Sequence, residues 1–365
     1  SGCVGPSKEP DNKVVLRTAI PADPGTVNPI MARSTAETQM RRLLFDGLTV
    51  LDPTTFEPKP ALATEWRVSH DELTWTFDLR ADVKWHDGET FSAEDVKFSF
   101  DAMMDPDVTS PNRANFRTIE EVRIVSPTQP FAALPTMLAN RFGVAPKHLL
   151  EGTDIDTNTE FNKTKPVGTG PWKVAEYRPG EYYHLVKHED YYRSVKADEL
   201  YVKVVPDINT QIAQLKTGEL DLVSFDAANL PAVKDDDQIQ LIEATYPRWH
   251  AFHVNLNHPL FEDVKVRQAI SHAIDRQSIL DNVCMGLGEI ATGPIIPALS
   301  WAYNPDVKTY PYDPDTAEAL LAEAGWKDTD GDGVVDKDGQ PFRFEISVVG
   351  GSSVDEKAST IIHQN

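Results

Sequence analysis

The period of the apolar positions changes repeatedly along the chain, and each change predicts an element. Val14-Val15-Leu16-Arg17-Thr18-Ala19-Ile20 reads as a strand. A helix should follow from about Thr35 to Phe45, with Met40, Leu43 and Leu44 on one face and its end at Gly47. Leu73, Trp75, Phe77 and Leu79 alternate with Thr74, Thr76, Asp78 and Arg80, which predicts a strand with one face buried. After a turn at Trp85-His86-Asp87-Gly88, Ser92 at the N-cap and Asp95 three residues on form a capping box, and Val96, Phe100 and Met103 follow at helical spacing. A strand at Leu200 to Val205, a helix carrying Ile208, Ile212 and Leu215 up to Gly218, and a strand at Leu220 to Phe225 make a β-α-β unit, so a parallel sheet is expected.

The last third reads as mostly helical. Asp263 caps a helix with Val266, Ile270, Ala273 and Ile274 in its stripe, and Cys284 reads as a buried helix residue. Asp313-Pro314 and Gly325 set N-cap, N1 and C′ around Ala317 to Ala324. The fold class is therefore α/β, and 365 residues predict two or three domains. The 27 prolines lie between segments that keep their hydrophobic period, so they mark ordered surface connections rather than disorder.

Charge narrows the partners. Lys and Arg number 35 against 57 Asp and Glu, a formal net charge of -22. Nucleic acid and anionic membrane surfaces are bound chiefly through basic residues, and so acidic a chain repels both. No window approaches the roughly 20 nearly uncharged apolar residues of a membrane helix. With only Cys3 and Cys284, neither a disulfide framework nor a thiolate zinc site is available. Cys3 follows two small residues and precedes a polar leader rich in turn formers, as at the processed end of a bacterial lipoprotein, which makes it the candidate lipid anchor. The plainer reading is an incidental cysteine.

Catalytic signatures are missing: there is no Gly-x-Ser-x-Gly elbow, His-Glu-x-x-His helix, Walker lysine or dinucleotide-binding glycine fingerprint. Gly168-Thr169-Gly170-Pro171 lacks the lysine and loses an amide at Pro171, so it reads as a hinge or the tight start of a strand rather than a phosphate loop. His250 and His253 are an odd number apart and would face opposite ways in a strand, which argues against a shared metal. One segment has the spacing of an oxygen-rich cation loop: Asp328, Asp330, Asp332 and Asp336 occupy positions 1, 3, 5 and 9, and Gly333 position 6. Gly339 stands where a full loop needs its bidentate acid, so the choice is between a structural calcium and a plain polar turn.

Several stretches in order resemble the solute-binding proteins of bacterial ABC importers for peptides, nickel and related ligands (extracellular solute-binding protein family 5). They are Pro60-Ala61-Leu62-Ala63-Thr64-Glu65-Trp66, Trp75 to Arg80, Val83-Lys84-Trp85-His86-Asp87-Gly88 with Phe91 to Val96, Pro146 to Leu150, Gly168-Thr169-Gly170-Pro171-Trp172 and Thr217 to Asp221. Phe261 to Ile270 with Ala273 to Arg276, and Leu320 to Trp326, complete the series. The resemblance implies a two-lobed type II periplasmic-binding-protein fold of α/β class, with mixed sheets flanked by helices and an extra inserted domain, and no catalysis. It implies a flexible tether at 1–13, a first lobe from 14–45 and 167–245, an insertion at 46–166, and a second lobe at 246–365 that is incomplete at its C-terminal end. Val125 to Phe131 is short where relatives carry a further strand.

By position in that pattern, Ala32, Arg33, Ser34 and Thr35 should face the solute from the first lobe. Arg33 would pair with a carboxylate, and backbone groups at 33–35 would bond an extended peptide. Tyr246, Arg248 and Trp249 offer aromatic and cationic contact on a strand entering the second lobe, and Asp226, past a strand end, would hold an amine. The expected function is capture of a peptide and its delivery to an ABC permease by a monomer held outside the cytoplasm, in the periplasm or on the outer membrane face, through a lipid anchor. No cofactor is required. An oligosaccharide is the leading alternative solute, on Trp249 and Tyr246; an extracellular hydrolase or an adhesin on the same fold is the alternative class.

Overall fold

A computed structural model of the chain describes residues 13–117, 119, 134–243, 249–300, 302–348 and 352–364. Cys3 with its leader, Val125 to Phe131, Tyr246 and Arg248 lie outside the described residues. The chain divides into two compact units between Val223 and Ser224.

In the first unit, strands β1 (Val15–Ile20), β2 (Thr49–Leu51), β3 (Pro58–Pro60), β4 (Ala63–Val68), β5 (Trp75–Leu79), β6 (Trp172–Arg178), β7 (Tyr182–Lys187) and β8 (Glu199–Val204) occur with helices α1 (Thr35–Leu44), α2 (Ala93–Met104), α3 (Arg113–Phe116), α4 (Leu134–Arg141), α5 (Lys147–Leu150) and α6 (Ile208–Thr217). The main sheet has the order β1-β8-β7-β6. Only β1 and β8 pair in parallel; β7 runs antiparallel to both its neighbours, so the sheet is mixed. Alternation sets its faces: Leu200, Val202, Tyr183 and Leu185 are buried, while Glu199, Tyr201, Lys203 and His184 are only half-buried.

The buried face belongs to one continuous core that includes Met40 and Leu44 of α1 and also Trp85, Phe100, Met103, Phe116 and Phe142 from the stretch between α1 and β6. Phe100 stacks on Phe142 at 4.2 Å between ring centroids, and Phe116 meets both rings edge-on. Each such ring contributes roughly 2–3 kcal/mol by leaving water. The capping box of α2 forms as expected, and Val96, Phe100 and Met103 are among its buried residues.

Several expectations change. The strand expected at 220–225 is reduced to one parallel bridge between Leu222 and Thr18. The cause is Asp221, whose carboxylate takes the Arg17 amide at 2.7 Å and so occupies the donor a longer ladder would use. β5 does not split into a wet and a dry face: all five residues are half-buried, with Trp75, Phe77 and Leu79 packed on the core and Asp78 ion-paired with Arg67. Gly47 does not end α1, which closes at Phe45 through its N–H to the Arg41 carbonyl at 2.8 Å. Gly47 is needed for close approach instead, since a Cβ there would lie 2.8 Å from the carbonyls of both Leu138 and Phe142.

Gly168 to Pro171 form the tight start of β6. A Cβ on Gly168 would stand 1.8 Å from the Leu44 carbonyl oxygen, and the Gly170 amide donates to that same carbonyl at 2.9 Å. The Gly168 amide donates to His86 Nδ1 at 3.1 Å, so the proton of His86 sits on Nε2, which donates to the Gly170 carbonyl at 3.0 Å. With both amides used, no phosphate cradle remains.

In the second unit the helices are α7 (Val264–Ala273), α8 (Arg276–Asn282), α9 (Pro314–Glu323) and α10 (Ser353–Gln364), with a short hairpin of β9 (Asp336–Lys337) and β10 (Gln340–Pro341). Asp263 caps α7, and Asp313 with Pro314 starts α9 as the sequence predicts. Gly325, at φ +91°, ends α9, and Lys337 Nζ bonds the Ala324 carbonyl at 2.8 Å. Phe261, Val266, Ala324 and Trp326 form one small core; Ala228, Val283 and Val354 form another. Cys284 is not inside a helix. The chain leaves α8 through left-handed Met285 and Gly286, and the thiol is half-buried against the second core. The described part of the strand expected to enter the second lobe, Trp249 to Asn255, is irregular, and His250 Nδ1 lies 2.6 Å from Asp355 Oδ1.

Candidate functional site

The loop ahead of α1 is built by two polar side chains. Asn28 makes its first turn: its carbonyl accepts from the Met31 and Ala32 amides at 3.2 and 3.0 Å, and its Oδ1 accepts from the Ile30 amide at 2.9 Å. Glu37 makes the second. Its Oε2 accepts from the Arg33 and Ser34 amides at 2.9 and 2.8 Å, while the Ser34 hydroxyl accepts from the Glu37 amide at 3.2 Å. Burial works to raise the Glu37 carboxyl, but the Ser34 and Arg33 amides outweigh it and hold it below the ordinary carboxylate range. Gly25 leaves room for this carboxylate, which a Cβ there would approach to 2.8 Å.

Ala32 is buried, whereas Arg33, Ser34 and Thr35 are exposed. The exposed guanidinium of Arg33 makes no ion pair or hydrogen bond among the described residues; its charge helps hold the Glu37 carboxyl down, and its donors are open to a carboxylate. The amides of Arg33 and Ser34 are not available to a peptide, because Glu37 holds them. The loop therefore presents a cation and a hydroxyl on a fixed backbone rather than a row of free donors. Ser34→Ala should cost the first unit about 1 kcal/mol, read as a lowered denaturant midpoint, since only the cap is lost.

On the second unit, Asp226 precedes the short 3-10 segment Ala227–Ala232 and makes no side-chain cap there. Its charge, together with burial as the larger cause, raises the Cys284 thiol above its ordinary value. Trp249 is 38% exposed, with its ring 5.7 Å from that of His253. Thus the expected solute contacts fall on both units, Ala32 to Thr35 on the first and Asp226 and Trp249 on the second.

Of the four acids in the cation-loop spacing, Asp328, Asp330 and Asp332 converge, each offering an oxygen within 4.8 Å of the others, all exposed. Asp336 turns away to the Thr329 amide and hydroxyl at 3.0 and 2.7 Å and closes the base of the loop. The convergent carboxylates already accept from loop amides, Asp328 from Gly331 and Gly333, Asp330 from Asp332 and Asp332 from Val334.

What sequence reading missed is the support behind the loop. Ser34 and Glu37 stand at capping-box spacing, a local signal that was available. The buried partner of Asn28 is Asn162, separated from it by 134 positions, and no local pattern announces it.

Residues 57–365 match the family described as "Bacterial extracellular solute-binding proteins, family 5 Middle". The oligopeptide-binding protein AppA of Bacillus subtilis (strain 168) is 30% identical over 355 residues, which cover 94% of this chain and 65% of that protein. Among solved structures, NikZ from Campylobacter jejuni in complex with Ni(L-His) superimposes with a TM-score of 0.86 at 33% identity, over 96% of this chain and 71% of the other. AppA of B. subtilis in complex with a nonapeptide gives 0.81 at 28% identity, again over 96% of this chain and 71% of the other. The chain thus spans about two thirds of the length of the proteins it resembles, and it has the type II binding-protein fold they share.

Proposed function

Because the chain belongs to the bacterial extracellular solute-binding proteins of family 5, we propose that it captures a peptide outside the cytoplasm and delivers it, chemically unchanged, to an ABC permease. The observation that carries the peptide is the exposed, unpaired Arg33 on a backbone fixed by Glu37, in a chain 30% identical to an oligopeptide-binding protein over 94% of its length. A guanidinium in that setting recognises a carboxylate by charge-assisted hydrogen bonds. A solute that binds one conformation of the protein more tightly shifts the population by that difference in affinity. Cys3 carries the lipid that keeps the protein at the membrane.

A hydrolase needs a nucleophile beside a base. The His148–Asp87, His184–Glu199 and His250–Asp355 pairs have the base and its partner, but the other ring nitrogen holds no hydroxyl or thiol in any of them among the described residues. The rival solute, an oligosaccharide, rests on exposed Trp249.

Calorimetry with synthetic peptides of two to nine residues, an oligosaccharide mixture and nickel-histidine separates these readings. Peptide binding is expected, and Arg33→Ala should weaken it about tenfold, the scale of one charge-assisted hydrogen bond. Binding of sugars alone, or peptides recovered cleaved, contradicts the proposal.

A further inference from the structure

We infer that Asn162 is a positioning residue: acting through Asn28, it fixes the conformation of the loop that carries Ala32 to Thr35. The significance of this role rests on the peptide reading above.

The loop has no regular structure, yet every amide from Val27 to Ser34, Pro29 apart, has an acceptor. Val27 donates to the Asn162 carbonyl at 2.8 Å. Asn28 donates to the Thr26 hydroxyl at 3.0 Å, and that hydroxyl donates onward to the Asn162 carbonyl at 3.3 Å. Ile30, Met31 and Ala32 all donate to Asn28, and Arg33 and Ser34 donate to Glu37. Two residues, Asn28 and Glu37, thus take every amide from Ile30 to Ser34. Glu37 belongs to α1 and is fixed by the helix. Asn28 belongs to the loop and has to be fixed from outside.

Asn162 supplies that anchor. Asn28 Nδ2 donates to Asn162 Oδ1 at 2.8 Å, and Asn162 Nδ2 donates to the Ile155 carbonyl at 2.8 Å and to the Asp156 carbonyl at 3.3 Å. Asn28 and Asn162 are 0% and 5% exposed, so water cannot take over these bonds when one is lost. The anchor is itself braced: the Asp156 carboxylate accepts from the Thr109 amide, and the Ser110 hydroxyl donates to the Ile30 carbonyl at 3.0 Å. Asn162 sits in the π-helical turn Glu160–Thr164, and its side-chain amide reaches the carbonyls of residues 155 and 156. None of these groups touches Arg33, yet all limit where Arg33 can be. Preorganisation of this kind raises affinity by lowering the entropy lost on binding.

Hydrogen exchange on the full chain without solute tests the inference. In Asn162→Ala, and in the isosteric Asn28→Asp, which keeps the acceptor for Ile30 but loses the donor to Asn162, the amides of Met31 to Ser34 should exchange at least about tenfold faster. Those of β6 to β8 should stay within about twofold. Unchanged exchange at Met31 to Ser34 in either variant, or a uniform acceleration across the first unit, overturns the inference. In the peptide titration, Asn162→Ala should weaken binding, and its loss combined with Arg33→Ala should fall short of the product of the two separate losses; a full product overturns positioning through this loop. If the loop loosens but Arg33→Ala leaves every peptide affinity unchanged, the role of Asn162 in ordering the loop stands and the peptide reading falls.

Discussion

Gly168→Ala is expected to destabilise the first unit by at least about 3 kcal/mol, a fall in melting temperature of roughly 10 °C for a unit of this size. The added carbon would meet the Leu44 carbonyl oxygen at 1.8 Å and the Leu44 carbonyl carbon at 2.8 Å, and Phe45 Cδ1 lies at 3.1 Å on the same side. A flexible side chain could swing away; these are the last backbone atoms of α1 and the ring behind them. Nor can β6 retreat, because the Gly168 amide bonds His86 and the Gly170 amide bonds Leu44. Gly293→Ala is the control, since nothing lies within 4 Å of the added carbon and no positive φ is imposed. It should change stability by no more than about 0.5 kcal/mol. Denaturant unfolding of the two variants compares them directly, and a Gly168→Ala midpoint close to that of the wild type contradicts the close packing described here.

The second large effect is a pH dependence in which two buried groups oppose one another. Burial, the dominant cause, holds the His86 imidazole down at about 3, well below its ordinary 6.5. The unfolded chain therefore binds the extra proton first. The stability that neutral His86 contributes is complete above about pH 6.5 and is lost as the pH falls toward 3. Asp46 behaves in the other sense. Burial pushes its carboxyl from 3.8 up to about 6, and Tyr192, Arg193 and Tyr191 only partly oppose it. The folded chain binds this proton first, so Asp46 costs nothing below about pH 3.8 and costs most above pH 6.

A difference of two units corresponds to about 3 kcal/mol as an upper scale. Asp46→Asn keeps an acceptor for the Tyr191 hydroxyl, which donates to Asp46 at 3.3 Å, and removes the charge next to a buried, unbonded Oδ2. The variant should be more stable than the wild type by about 2–3 kcal/mol at pH 7–8, with the gap closing toward pH 4. Below pH 6 it should then lose stability more steeply, because nothing offsets His86. Unfolding curves collected from pH 4 to 8 check this; parallel curves, or a gap that widens in acid, contradict it.

Much of the scaffold was legible because its signals are local. Ser92, Asp263 and Asp313 cap helices where their spacing placed them, and the alternation around Leu200 and Val202 gives β8. Errors arose where a distant partner decides. Asp221 looks like one more residue of a strand, but its carboxylate ends the ladder on Arg17. Leu73 to Arg80 alternates properly, yet its polar residues Thr76 and Asp78 are half-buried as well, with Asp78 paired to Arg67 of the neighbouring strand. The site was legible only in outline. Position in the family pattern proposed Arg33, while the reason its backbone is fixed lies in Asn28, Asn162 and the 155–156 carbonyls. Bonds between residues so far apart leave no periodicity to read.

Native mass spectrometry of the protein purified from a peptide-rich medium, followed by denaturation and sequencing of whatever is released, is the most direct test of solute capture. The account predicts intact peptides that leave with unfolding and compete with added synthetic ones. Release of a sugar, release of cleaved fragments, or no small-molecule adduct at saturating peptide contradicts it.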